Sequence, residues 1–172
     1  MIHTLFLLLL GACLFPACTP KKTHFSELRA HSLPLFISPP VSIHAFEHIS
    51  PLVYDSATTH FTRVGYHIVT KPSKGYNLKI TIKNIDPAYK YVSPDVVLFH
   101  TKITMTLVCS LINYQGIVIT TKEFTNTLLV TKPQNPSLQS DFQHFAYTKI
   151  LEKMAPRIEQ YMRPWLTQRK QP

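Results

Sequence analysis

The segment from Val97 to Val130 reads VLFHTKITMTLVCSLINYQGIVITTKEFTNTLLV and carries the clearest secondary-structure pattern in the chain. Its first half predicts a long strand, because apolar and polar residues alternate up to Leu111. Asn113–Gly116 predicts a tight turn, and Ile117–Val130 predicts a strand that returns beside the first. The hairpin should therefore have one face in a core and one face in solvent. Its core face is predicted to contain Ile103, Met105, Leu107, Cys109 and Leu111.

Further strands are predicted on the N-terminal side of this hairpin. Residues 76–85 alternate, with Leu78, Ile80 and Ile82 on the apolar side. Tyr66–Val69 predicts a short strand, and Pro87–Pro94 predicts a polar loop. An earlier strand is predicted from the shared face of Val41, Ile43 and Ala45, with Pro34, Pro39 and Pro40 keeping its start at a sheet edge.

Two helices are predicted, one on each side of the strand-rich region. The first has Ser50 as its N-cap and Pro51 at its first helical position, and it ends at Gly65 in a left-handed cap. The second is amphipathic and runs from Ser137 or Ser140 to Trp165, with a kink expected at Pro156.

This order of elements predicts the fold class. Strands with one apolar and one polar face imply an antiparallel sheet that is covered on one side only. We expect an α+β, two-layer sandwich, in which two helices cover one face of a mostly antiparallel sheet of four to five strands. Residues 33–166 are predicted to form this single domain, and residues 167–172 a polar tail.

The N-terminus predicts export. Leu5–Leu10 is an apolar run with the length of a signal-peptide core, too short to span a bilayer. Small residues precede Cys18 where the sequence turns polar, which predicts a signal peptide over residues 1–17, a diacylglycerol-modified Cys18 and a tether over residues 18–32. Cys13 is the alternative lipidated residue, and an ordinary cleaved signal or an uncleaved anchor is the alternative to lipidation. By the enterobacterial sorting rule, Thr19 favours the outer membrane.

The charge of the chain predicts an anionic partner. There are 18 Lys and Arg residues against 9 Asp and Glu residues, for a net charge of +9. Export makes lipid phosphates a better candidate than nucleic acid, and no nucleic-acid partner is expected. A flat face of lysine and threonine residues is predicted to contact the ligand, although a face that is merely solvated explains the pattern equally well. The candidate ligand-contact residues are Lys79, Lys83, Lys102 and Lys122.

The sequence predicts neither a catalytic nor a metal site. His44, Glu47 and His48 match the H-x-x-E-H pattern of inverted zincins, in which one helix presents both histidines to zinc. Here the pattern crosses the end of a predicted strand, so we interpret it as a strand-to-helix connection. With 4 glycines and no phosphate-binding loop, a nucleotide site is not expected. We therefore predict a protein that is not an enzyme and has no cofactor beyond its covalent lipid.

Three segments carry a family resemblance: the predicted lipid-accepting cysteine, the stretch SIHAFEHISP at residues 42–51, and the stretch RVGYHIV at residues 63–69. Together they resemble the LptE family of lipopolysaccharide-assembly lipoproteins. Phe46–His48 and Gly65 occupy the places of the family's Phe-x-Asn/His-like step and helix-ending glycine, and Asn113–Gly116 resembles its Asp-x-x-Gly turn. The resemblance covers residues 33–166 as an order of elements, and the chain lacks the Cys-Gly-aromatic start common in the family.

The resemblance implies a location and partners. The protein would be anchored on the periplasmic side of the outer membrane and would plug a β-barrel translocon of the LptD type. There it would contact lipopolysaccharide and help to insert it into the outer membrane. The alternative is an adaptor lipoprotein of another envelope transport or secretion complex.

Overall fold

The computed structural model describes residues 34–43, 46–71, 75–90, 100–131 and 139–167. The predicted signal peptide, the tether, Cys13 and Cys18 lie outside the described residues, as does nearly all of the predicted tail. Those predictions therefore remain predictions.

The described residues form six strands and two α-helices, with a 3-10 turn at Glu47–Ile49. The strands are β1 (Leu35–Ile37), β2 (Val41–Ser42), β3 (Ile68–Val69), β4 (Tyr76–Lys90), β5 (His100–Ile112) and β6 (Val118–Thr131). The helices are α1 (Ser50–Val64) and α2 (Gln139–Leu166). The main path across the sheet is β3-β1-β4-β5-β6, and β2 also pairs with β4.

The three long strands β4, β5 and β6 form an antiparallel meander, as the alternation in the sequence predicts. Residues directly opposite one another in such a ladder share a face. The face toward the helices is apolar, and the helix-facing residues of β4 and β5 are fully buried. They are Leu78, Ile80, Ile82, Ile103, Met105, Leu107, Cys109 and Leu111.

The short strands β1 and β2 lie along the same side of β4 as one interrupted segment, and β1 is not the predicted sheet edge because β3 pairs with its other side. Both pair with β4 in the parallel direction, and Pro39 and Pro40 lie between them. Proline cannot donate a ladder hydrogen bond, so it breaks the strand there. Val41 and Ile43 are exposed, so the face they were predicted to share points away from the core, and Ala45 lies outside the described residues.

Helix α1 ends as predicted and begins differently. Gly65 adopts a φ of 107°, and the amides of Gly65 and Tyr66 donate to the carbonyls of Thr62 and Phe61 at 3.0 Å each. This geometry satisfies the last carbonyls and requires a residue that tolerates the left-handed region. Ser50 is already helical and does not act as the N-cap, because the 3-10 turn ending at Ile49 leads directly into the helix.

Helix α2 runs without interruption across Pro156 and Pro164. One side of it is buried against the sheet and α1, through residues that recur every three or four positions. These residues are Ala146, Ile150, Leu151, Met154, Ala155, Ile158, Met162 and Leu166. Both helices contribute to one core with the inner face of the sheet, which confirms the α+β, two-layer sandwich.

Strand β4 is longer than the sequence predicts. Pro87, which was expected to begin a loop, pairs with Ile103, and the strand continues to Lys90. Beyond Ile82 no described strand pairs with the other edge of β4. Proline has no amide hydrogen to donate, and it is tolerated at position 87 because β4 is an edge strand at this point.

Candidate functional site

The sheet face opposite the helices is the main candidate surface, and we call it the open face. Among the described residues no helix covers it. Its centre is lined by hydroxyl groups that pair across β5 and β6: Thr104 with Thr127 at 3.1 Å, Thr106 with Thr125 at 3.1 Å, and Ser110 with Thr121 at 2.9 Å. Hydroxyls both donate and accept, so this row can exchange hydrogen bonds with any polar surface laid against it.

Three of the four predicted lysines lie on the open face, but they do not form one cluster. Lys79 pairs with Ser110 near one end, and Lys102 pairs with Ala88 near the other. At about 3.4 Å per residue, the eight residue steps from Lys102 to Ser110 on β5 separate the two positions by about 27 Å. One phosphate group therefore cannot contact both.

Lys83 lies between these two lysines and is paired with an acid. Its Nζ donates to Oε2 of Glu123 at 2.6 Å, and both side chains are about half exposed. An exposed ion pair of this kind contributes little to stability, but it lowers the positive charge that the open face presents. The centre of the predicted lysine and threonine face is consequently polar, with the charge of Lys83 offset by that of Glu123.

Lys122 lies on the opposite, helix-facing side of the sheet, which corrects its predicted place. It is paired with buried Cys109, so both side chains point the same way. Its Nζ lies 4.3 Å from the ring centroid of Tyr161, within range of a cation–π interaction. Thr120 also faces the helix, and its hydroxyl hydrogen-bonds to the hydroxyl of Tyr161 at 2.8 Å. Lys122 therefore joins β6 to α2 and takes no part in the open face.

A buried polar cluster, which the sequence reasoning missed, lies where α2 meets the end of α1. Glu159 is only 3% exposed and accepts a hydrogen bond from the hydroxyl of Tyr66 at 2.8 Å. Arg163 donates to both carboxylate oxygens of Glu159, through Nε at 3.0 Å and Nη2 at 2.8 Å. Burial first and the hydrogen bond to Glu159 second raise the pKa of Tyr66 above its usual value. The spacing of four residues between Glu159 and Arg163 was a usable sequence signal for the pair.

His60 lies beside this cluster on α1. It is buried, Nη2 of Arg63 lies 3.2 Å from its Nδ1, and its Nε2 has no hydrogen-bond partner. Burial first and the charge of Arg63 second lower the pKa of His60 below 6.5, although the charge of Glu159 opposes the shift. The fold therefore favours neutral His60.

Acidification is expected to destabilise the fold through His60. Because its folded pKa is lowered, the unfolded chain takes up the proton first, so stability is lost as the pH falls below about 6.5. The free energy of unfolding of the His60→Leu variant should depend less on pH between 7.5 and 5 than that of the unmodified chain. Urea unfolding at several pH values measures this, with exposed His67→Gln as the control. Equal pH dependence in all three chains would contradict the assignment.

A groove of about 360 Å³ separates the first turns of the two helices. Its lining includes His48 from the 3-10 turn, Asp55 from α1, and His144 and Tyr147 from α2. Of the H-x-x-E-H pattern, Glu47 and His48 are exposed in the 3-10 turn, and His44 lies outside the described residues. Within the described ranges no three potential metal ligands come together.

Cys109 is a buried core residue on β5, as predicted from its place in the alternation. Burial raises the pKa of its thiol to about 12. Since the thiolate is the reactive form, this side chain is chemically inert in the folded protein. In the part of the chain that the structure describes, no helix has the length and apolar character needed to cross a bilayer.

The fold is similar to that of solved bacterial lipoproteins. A minor lipoprotein from Acinetobacter baumannii superposes with a TM-score of 0.53 at 12% identity, over 76% of this chain and 92% of that one. Rare lipoprotein B from Shewanella oneidensis gives a TM-score of 0.55 at 10% identity, over 77% and 95% of the two chains. A Xanthomonas campestris protein described under family DUF330 gives 0.52 at 13% identity, over 76% and 84%. At these identities the likeness concerns the fold.

Comparisons of the sequence itself add nothing to this. A scan against protein-family models gives no match, and a search of curated proteins gives none either. The chain therefore has the α+β sandwich fold found in several bacterial lipoproteins.

Proposed function

We propose that this chain is a noncatalytic outer-membrane lipoprotein that partners a β-barrel translocon and helps to place lipopolysaccharide in the membrane. Cys18 would carry the lipid and hold the domain on the periplasmic side of the outer membrane. The names of the structural neighbours, minor lipoprotein and rare lipoprotein B, support a lipid-anchored envelope protein. The residues that resemble the LptE family support the more specific role.

The open face is the observation that carries the proposal. It is a broad surface of three long strands whose centre consists of paired hydroxyls. The lumen of a membrane β-barrel is polar, so its wall can hydrogen-bond to such a surface. Exposed Val41 and Leu129 lie on the same face, beside Thr81 and Lys102, and can pack against apolar positions of a partner.

Contact with lipopolysaccharide is supported by the charges that remain unneutralised. Lys83 is paired with Glu123, which leaves Lys79 and Lys102 as the open-face candidates for phosphate contacts. A lysine ammonium binds phosphate as a point charge, so such contacts weaken as salt rises. Their wide separation suits an extended ligand with several anionic groups better than a single phosphate.

Charging the centre of the open face is expected to abolish barrel binding. In the Thr106→Glu/Thr125→Glu variant, two unpaired carboxylates replace a hydroxyl pair and would have to be desolvated in the complex. We expect recovery of a β-barrel with the tagged full chain, extracted from membranes in mild detergent, to fall about tenfold or more. Gln143→Glu/Gln160→Glu adds the same charge on exposed positions of α2 and serves as the control.

Other outcomes of this purification would count against the proposal. Equal barrel recovery with both double variants would show that the open face is solvated. Recovery of inner-membrane components in place of a barrel would favour an adaptor of another envelope complex.

A further inference from the structure

The chain enters the domain at one end of the sheet, which we call the entry end. The amide of Tyr76 donates to the carbonyl of Pro34 at 2.9 Å, and the amide of Leu35 donates to the carbonyl of His67 at 2.9 Å. In the register of the sheet, the start of β4 pairs with the end of β5, where the turn Asn113–Gly116 begins. The residues preceding Pro34, which include the predicted lipid anchor, therefore attach beside this turn.

The C-terminal turns of α2 lie at the same end. Along α2, Asn126 Nδ2 donates to the carbonyl of Ile150, whereas Tyr161 contacts Thr120. The helix thus runs toward the start of β6, and its last turns extend past Thr120. Trp165 packs on Tyr161 there, with the ring centroids 5.3 Å apart.

The hairpin at the entry end exposes apolar side chains. Tyr114 is 49% exposed, Ile117 is 59% exposed and Val118 is 55% exposed. Residues 111–121, LINYQGIVITT, contain no charged side chain. An uncharged tip with a tyrosine and two β-branched aliphatic residues is costly to hold in water and suits the boundary between lipid head groups and acyl chains.

The charges around this tip are almost all positive. Lys79 and Lys122 lie in the third and fourth residue pairs from the hairpin turn, and Arg63 and Arg163 lie in the last turns of α1 and α2. Among the described residues there, Glu159 is the one acid, and it is buried and paired with Arg163. The next acid along β6, Glu123, is neutralised by Lys83. With Arg163 paired to Glu159, the entry end keeps the positive charges of Arg63, Lys79 and Lys122, and a positively charged end with an apolar tip is complementary to a bilayer that contains anionic phospholipid.

We propose that the entry end is a second membrane contact, in which the hairpin tip inserts among the head groups of an anionic bilayer and the surrounding cations contact lipid phosphates. The inference rests on the proposed function for the presence of a bilayer near Pro34. Residues 18–33, fully extended, reach at most about 55 Å, so a lipid on Cys18 keeps the domain close to the membrane. The second contact would fix the orientation of the domain on the membrane, with the groove between the starts of the two helices pointing away from the bilayer.

Fluorescence quenching in vesicles tests this orientation. A Gln115→Cys full chain is labelled with an environment-sensitive dye and reconstituted in phosphatidylcholine vesicles, with or without phosphatidylglycerol, that contain brominated acyl chains. Gln143→Cys, on an exposed position of α2 beside the distant groove, is the control. Cys109 is buried and does not compete for the label. We expect quenching at position 115, stronger with phosphatidylglycerol, and none at position 143.

Substitution of the tip provides an independent measurement. In the Gln115→Cys background, Ile117→Thr/Val118→Thr removes exposed apolar area while keeping residues that favour strands. The loss should reduce the fraction of inserted tips about tenfold, given roughly 25 cal/mol per Å² of apolar surface. The control change Phe145→Thr, at a similarly exposed apolar position of α2 away from the entry end and off the open face, should leave the inserted fraction unchanged.

The outcomes separate this inference from the lipoprotein proposal. The intact mass of each labelled chain reports whether Cys18 carries lipid. If the acylated chains are quenched equally at positions 115 and 143, or if the quenching does not depend on phosphatidylglycerol, the second contact is wrong and the proposal of a lipid anchor is unaffected. If the mass shows no lipid, the anchor is wrong. The quenching is then measured with Cys13→Ser/Cys18→Ser, so that position 115 or 143 carries the one accessible thiol, and selective quenching at position 115 still supports the contact.

Discussion

Replacing Gly75 by alanine is expected to lower the free energy of unfolding by about 3 kcal/mol, because the added methyl group would collide with backbone atoms. A Cβ built on Gly75 would lie 1.8 Å from the carbonyl oxygen of Pro34 and 2.7 Å from its carbonyl carbon. That oxygen accepts the hydrogen bond from Tyr76 that joins β1 to β4. To accommodate the methyl group β1 must move, and it would then lose its pairing with both β3 and β4.

The control for this change is Gly116→Ala. Gly116 has a φ of +81°, but beyond its chain neighbours no atom lies within 4 Å of the place a methyl group would take, so the substitution carries only the backbone cost. That cost is about 1 kcal/mol. Urea unfolding followed by the fluorescence of Trp165, the one tryptophan of the chain, measures both variants. If Gly75→Ala lowers the free energy of unfolding no more than Gly116→Ala does, the close approach between Gly75 and Pro34 is wrong.

Truncating Glu159 is expected to cost about 3 kcal/mol, a second large effect. Glu159→Ala leaves the buried hydroxyl of Tyr66 without its acceptor and removes both hydrogen bonds of Arg163. Loss of one partner from a buried pair usually costs about 3–5 kcal/mol. The lower figure applies here because Arg163 is 52% exposed and can be solvated after the change.

Glu152→Ala on the same helix is the matched control. Glu152 forms an ion pair with Lys149 at 2.8 Å, but its side chain is 52% exposed. Such surface pairs contribute about 0.2–1 kcal/mol, so this variant should unfold at nearly the same urea concentration as the unmodified chain. Tyr66→Phe in the Glu159→Ala background should then restore part of the loss, because no buried hydroxyl remains unpaired. Similar losses for Glu159→Ala and Glu152→Ala would show that the cluster is not structurally important.

The features that could be predicted from the sequence are those encoded over a few neighbouring residues. The strict alternation between Lys102 and Leu111 determines which side of β5 is buried, since side chains in a strand alternate between two faces. Gly65 ends α1 and Gly116 closes the β5–β6 turn, because both positions need a positive φ. These local signals were sufficient for the α+β class and for most element boundaries.

Predictions failed where a residue's role depends on what lies next to it in space. Pro87 was assigned to a loop because proline opposes strand pairing, but it lies on a stretch of β4 whose other edge is unpaired by any described strand. Ser50 was assigned as a helix cap, but the preceding 3-10 turn already satisfies the start of α1 differently. For Pro87 the unpaired edge of β4 removes the usual consequence of a proline, and for Ser50 the adjoining 3-10 turn moves the helix start by one residue.

Lys122 shows why the candidate site needed the tertiary structure. Strand β6 alternates weakly, with Phe124 as its one fully buried residue, so its sequence does not define an inner and an outer face. Pairing with β5 decides the matter, because Lys122 lies opposite buried Cys109 and must share its side. Lys122 therefore contacts Tyr161 on the helix-facing side of the sheet and does not lie on the predicted ligand face.

The sequence alone determined that one face of the long strands is buried, that two helices are available to cover it, and that the chain is strongly basic. Periodicity and composition are local or additive properties, so they can be read without knowing which residues meet. Only the tertiary structure decided that Lys83 is neutralised by Glu123, that Glu159 is buried beneath Tyr66 and Arg163, and that the apolar hairpin tip lies where the chain enters the domain. Each of these depends on residues far apart in the chain, and the register of the sheet and the packing of α2 bring them together.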